Sequence, residues 1–78
     1  MKNESKIKYR YIGGIIIISK EKAIQIAKSE MPSQGFKVIS VKLHNNIYYI
    51  DLAKQKEKYL VELDANTGRI VGGAGGAP

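Results

Sequence analysis

From Phe36 onward the apolar residues fall two apart along the chain, whereas between Ser19 and Met31 they fall three and four apart; this change of period separates a helix from a set of strands. In the first stretch Ala23, Ile24, Ile26, Ala27 and Met31 share one stripe, with Glu21, Lys22, Gln25, Lys28 and Ser29 on the other side. Ser19 is placed to cap the helix, its hydroxyl accepting from an orphan first-turn amide, and Glu21 suits the positive helix end. A full capping box is missing, because Lys22 stands where a glutamate or glutamine would reach back. Pro32 disfavours helical geometry at Met31 and ends the element, and 33–35 form the turn. Small Ala23 and Ala27 allow the helix to lie close against a sheet.

The period of two then places Ile39, Val41 and Leu43 on one face against Ser40 and Lys42 on the other. His44, Asn45 and Asn46 suit a tight hairpin connection with left-handed backbone angles. The returning strand sets Tyr48, Ile50 and Leu52 inward and Tyr49 and Asp51 outward, and residues 54–58 make a wetter turn. Next, Tyr59, Val61 and Leu63 alternate with Leu60 and Glu62, residues 64–68 turn again with Gly68 fitted to positive φ, and Ile70 and Val71 make a short last strand. Upstream, the run Ile15 to Ile18 after Gly13 and Gly14 reads as a covered strand, since four successive isoleucines left exposed would drive self-association.

The expected architecture is α+β in two layers: one helix on an antiparallel sheet of four to five strands, in the order β-α-β-β-β-β. Residues 1–10 read as a flexible basic segment, 11–72 as the domain and 73–78 as a disordered glycine-rich tail without side chains to pack. A chain of 78 residues holds one small core, with a net stability of roughly 3 to 5 kcal/mol. Without cysteine, neither disulfides nor a thiolate zinc site can staple it.

Charge adds a second possibility to this picture. The net charge is +6, and the basic residues gather at Lys6, Lys8 and Arg10 near the start and at Lys54, Lys56 and Lys58 near the middle. Such patches attract an anionic polymer, a membrane surface or nucleic acid, although lysines at strand edges also discourage edge-to-edge pairing. Nucleic acid is the weaker partner: Tyr9 and Tyr11 sit among Lys8 and Arg10, but Tyr48 and Tyr59 alternate in phase with core positions. The longest apolar run, Ile15 to Ile18, is far shorter than a membrane span, and Tyr11 to Ile18 is broken by glycines and lacks the features of a signal sequence.

No constellation for catalysis, metal or cofactor emerges. His44 is the sole histidine and sits in a turn. Asp64, Asn66 and Gly68 imitate the opening of a calcium loop, but Gly68 comes too early and Gly75 stands where the closing glutamate belongs. Asp51, Glu62 and Asp64 can neighbour one another across strands, yet acid and base work needs a partly desolvated cleft. The chain therefore reads as a non-enzyme. Its open sheet face, with Ser40, Lys42, Tyr49, Asp51, Leu60 and Glu62, is the candidate for binding a protein partner; Tyr49 and Leu60 are its natural anchors, flanked by Lys42 and Glu62.

Two segments carry a family resemblance. I-S-K-E-K-A-I-Q-I-A, from Ile18 to Ala27, is similar to a helix opening of the form Ile-Ser-x-Glu-x-Ala-x-x-Ile-Ala, and Val61, Leu63, Asp64, Ala65, Thr67, Gly68 and Ile70 fit a closing V-x-V-D-A-x-T-G-x-I. With Tyr48, Ile50 and Leu52 as a tyrosine-led middle strand, the order and spacing over residues 18–72 resemble the PepSY domain. The resemblance implies a cystatin-like sheet around one helix. It also implies a role beside peptidases, in propeptides of thermolysin-like metallopeptidases or in envelope and secreted proteins that regulate proteolysis, by inhibiting, chaperoning or regulating the enzyme. The matching residues look like determinants of the fold and name no contact site.

Overall fold

The computed structural model describes residues 9–12 and 15–76. Its elements in chain order are β1 (Tyr9–Ile12), β2 (Ile15–Ile18), α1 (Lys20–Ser29), β3 (Lys37–His44), β4 (Ile47–Lys54), β5 (Glu57–Asp64) and β6 (Ile70–Gly76). The last four form an antiparallel meander in the order β3-β4-β5-β6, and α1 packs on its two central strands. The expected α+β arrangement of a strand, a helix and four sequential strands is present. An additional strand, β1, pairs antiparallel with β2 as a hairpin.

The helix begins where its cap predicts. Ser19 is extended and accepts from the Lys22 amide at 3.1 Å. The helix runs through Ser29 and closes at Glu30, whose amide reaches the Ala27 carbonyl, with Pro32 shortly after. Ala23 and Ala27 are fully buried, which lets the helix backbone approach the sheet, and Ile26 and Met31 pack around them.

Below the helix the inward positions of β4 and β5 supply Tyr48, Ile50, Leu52, Val61 and Leu63, all buried, with Phe36 and Tyr59 in edge-to-face contact at one end. Ala65, in the turn after β5, is also fully buried and fastens β2 to the sheet: its carbonyl accepts from the Ile18 amide at 2.8 Å. The Tyr48 hydroxyl donates to the Ile18 carbonyl at 2.9 Å. Both polar groups of Ile18 are thus held while Ile17 and Ile18 sit in the core. These two isoleucines are consumed by folding, as a covered strand requires.

Two hairpin details follow from local chemistry. Asn45 and Asn46 both take positive φ, at 50° and 67°, as a two-residue turn that matches strand twist requires. In β3 the expected alternation fails at Ile39. Val38 pairs with Leu52 and Ser40 with Asp51, so Ile39 is an extra bulged residue and emerges 65% exposed, leaving Val38 and Val41 as the core contacts. Leu43 keeps its inward register opposite Tyr48, but at the sheet margin it is 42% exposed.

The glycine-rich end also departs from expectation. β6 continues through residues 73–76, where an unpaired tail was anticipated, because ladder pairing with β5 uses backbone groups alone and needs no side chain. Residues 9 and 10, assigned by sequence to a flexible segment, lie in β1. The expectations for residues 1–8 and 77–78 fall outside the described residues.

Candidate partner-docking face

Among the described residues, the meander has a covered face and a bare one. Because side chains alternate along each strand, the residues between the buried positions of β4 and β5 all point away from the helix. Cross-strand register arranges them in rows. Lys42, Tyr49 and Glu62 form one row that ends at Gly72; Ser40, Asp51 and Leu60 form the next, ending at Ala74; Lys37, Ala53 and Lys58 form a third, ending at Gly76. The four residues singled out from the sequence therefore meet on one face, with Lys42, Tyr49 and Glu62 in line and Leu60 diagonal to Tyr49. Tyr49, Leu60 and Glu62 are half-buried and Lys42 is exposed.

Around Leu60 the face sinks into an open depression of about 570 Å³, whose apolar walls include Ile39, Ala53, Leu60 and Ala74, with Asp51 and Lys58 at its polar margin. Asp51 is held by the Ser40 hydroxyl, which donates to its carboxylate at 2.6 Å. Ile39 and Ala74 are contributors that sequence reasoning missed. The signal for Ile39 was the pair Val38 and Val41, three apart where a regular strand would place them two or four apart; Ala74 was hidden in a segment assigned to disorder.

The basic residues are less well gathered. Lys6 and Lys8 lie outside the described residues, and Arg10 sits in β1 opposite Ile17. Lys54 is structurally engaged, donating to Ser33 Oγ at 2.8 Å and the Gln34 carbonyl at 2.6 Å while its ammonium stands 5.7 Å from the centre of the Phe36 ring. Lys56 is exposed in the β4–β5 turn and Lys58 is exposed on the bare face. The middle cluster is therefore divided between a loop clamp, a turn and the face.

The turn after β5 is built by Asp64. Its carboxylate accepts from the amides of Asn66 at 2.8 Å and Thr67 at 3.0 Å, and these bonds, the Thr67 one foremost, hold its pKa below the usual carboxylate range. The Asp64 carbonyl accepts from Gly68, and its amide donates to the Arg69 carbonyl. The oxygens that imitate a calcium loop are thus occupied by the chain's own amides, and Asn46 and Asn66 bond side chain to side chain across the adjacent turn. No group of histidine, aspartate or glutamate among the described residues is arranged to hold a metal ion. His44 is exposed at the end of β3, opposite Ile47.

Residues 17–73 match the family model for the peptidase propeptide and YPEB domain, PepSY, in a single copy. The chain belongs to the PepSY family. The match begins within β2 and extends through α1 into β6, so it encloses the core, the Asp64 turn and most of the bare face. No curated protein and no solved structure matches the chain. Membership marks this PepSY domain as a peptidase propeptide-like or regulatory module, in a family concerned with peptidase-associated protein interaction. No helix among the described residues is long and apolar enough to cross a membrane.

Proposed function

We propose that this PepSY domain is a non-catalytic docking module that binds a protein partner, a peptidase by family inheritance, through the bare face of its sheet. The observation that carries the reading is the convergence of Ile39, Leu60 and Ala74 around one apolar depression, with Tyr49, Lys42 and Glu62 in the adjoining row. Apolar and aromatic groups ringed by polar ones are the usual anatomy of an interface. Binding there would inhibit, chaperone or regulate the partner without chemistry of the domain's own.

The competing reading, an electrostatic module for an anionic polymer or surface, needs a concentrated basic patch. Lys54 is committed to the 33–35 loop, which weakens that reading. The two readings separate in a pull-down from secreted and envelope fractions of the source cells, washed at low and then high salt, using the native chain and its Leu60→Asp and Tyr49→Asp variants. Docking through the face predicts one protein retained by the native chain at high salt and lost by both variants, which keep their folded circular dichroism. Equal retention by the variants overturns the surface, and loss of everything at high salt supports the electrostatic module.

A further inference from the structure

Strands β3 and β6 are the two edges of the meander, and they are defended very differently. β3 carries exposed Lys37, Lys42 and His44 and the bulge between Val38 and Ser40, features that discourage another strand from pairing. From Ile70 to Gly76, β6 has no charged residue and no proline. Its bulge, at Val71, lies near its start and leaves residues 72–76 in regular register with Lys58 to Glu62. Val71 is 55% exposed and Ile70 41%. The glycines raise no side-chain barrier, and among the described residues no strand pairs with the outer side of β6, which leaves its outer backbone groups to another extended chain.

The apolar depression reaches this edge. Ala74 and Gly75 form part of its lining, and the single methyl group of Ala74 is all that β6 places between an added strand and Leu60. Beyond Ala74, the row of Gly76 carries Lys58 and Lys37 across the sheet, making that end cationic. The net charge of +6 disfavours a second copy as occupant and favours an acidic one.

We infer that β6 accepts an extended acidic segment of the protein partner as a fifth strand, with a large apolar side chain reaching over Ala74 toward Leu60 and a carboxylate two residues away meeting Lys58. This rests on the bare face being the docking surface and specifies the form of what docks there. Backbone pairing supplies attraction, while the depression and Lys58 supply selectivity.

The test is an amide-resonance titration of the full chain with the peptide acetyl-Ser-Val-Leu-Val-Glu-Val-Ser-amide. Two control peptides are used, one with lysine in place of glutamate and one N-methylated at alternate backbone amides. The expected result is saturable shifts at residues 70–76 and Leu60, with binding at least about tenfold weaker for the N-methylated peptide, as loss of backbone pairing requires. The lysine peptide should bind several-fold more weakly at low salt. Shifts at Lys42, Tyr49 and Leu60 without shifts in β6 overturn strand addition and leave the docking face standing. Shifts confined to α1 or the turns overturn both. No shift at millimolar peptide, or equal binding by the N-methylated control, also overturns strand addition.

Discussion

Tyr48 joins two parts of the fold through one hydroxyl, bonded to the Ile18 carbonyl inside the core. Replacing it with phenylalanine keeps the ring and strands a buried acceptor, so Tyr48→Phe should cost about 1 to 2 kcal/mol, read as a lower urea midpoint with an unchanged slope. Gly68 is constrained differently. Its φ is 79°, and a β-carbon there would stand 3.2 Å from Ile26 Cδ1, so Gly68→Ala combines a strained backbone with crowding against the helix and should cost at least about 1 kcal/mol by the same measurement. Asp64 gives the fold an acid dependence. Its pKa is lowered on folding, so its contribution is present above the unfolded-state pKa and is lost as pH falls through the lowered folded value. Urea midpoints measured from neutral pH into the acid range should fall more steeply for the native chain than for Asp64→Asn; parallel profiles would contradict this role.

Among the elements, α1 depends on its cap, because a helix of 10 residues is too short to persist without packing and satisfied ends. Ser19→Ala should lower stability by about 1 kcal/mol. β6 depends on close approach: a β-carbon at Gly73 would lie 2.5 Å from the Leu60 carbonyl oxygen. Gly73→Val should therefore detach β6 and speed hydrogen exchange at residues 72–76 while the central strands stay protected. The helix and the central strands were legible in the sequence, since their burial follows one period each and Ser19, Asn45, Asn46 and Gly68 have local chemistry that specifies caps and turns. Ile39 was read as an inward residue because the alternation of Ile39, Val41 and Leu43 outweighed the one sign of an added residue, Val38 and Val41 standing three apart. The continuation of β6 through residues 73–76 was missed for the opposite reason: its pairing is made by backbone, and glycines carry no pattern. The bare face was recognised through Tyr49, Leu60, Lys42 and Glu62, but the depression beside them needs Ile39 and Ala74, the two places where patterning fails.

At the scale of the whole molecule, the extents of 42 × 29 × 17 Å describe a slab whose thin dimension accommodates one helix, about 10 to 12 Å across with its side chains, on one sheet. A second covering layer has no place in that thickness, which is why half of the sheet surface stays bare. In a chain this small the covered face alone must supply the core, and apolar groups on the other face add little to folding while remaining available to a partner. Membership in the PepSY family marks the domain as a peptidase propeptide-like or regulatory module, and its proposed docking is through that face. The most direct measurement is the affinity of the partner retained at high salt for the native chain and for Leu60→Asp, by calorimetric titration at low and high salt. Docking through the bare face predicts at least about a tenfold loss of affinity in the variant, and a native affinity that changes little with salt. Equal affinity for the two chains, or a native affinity that falls steeply with salt, would contradict it.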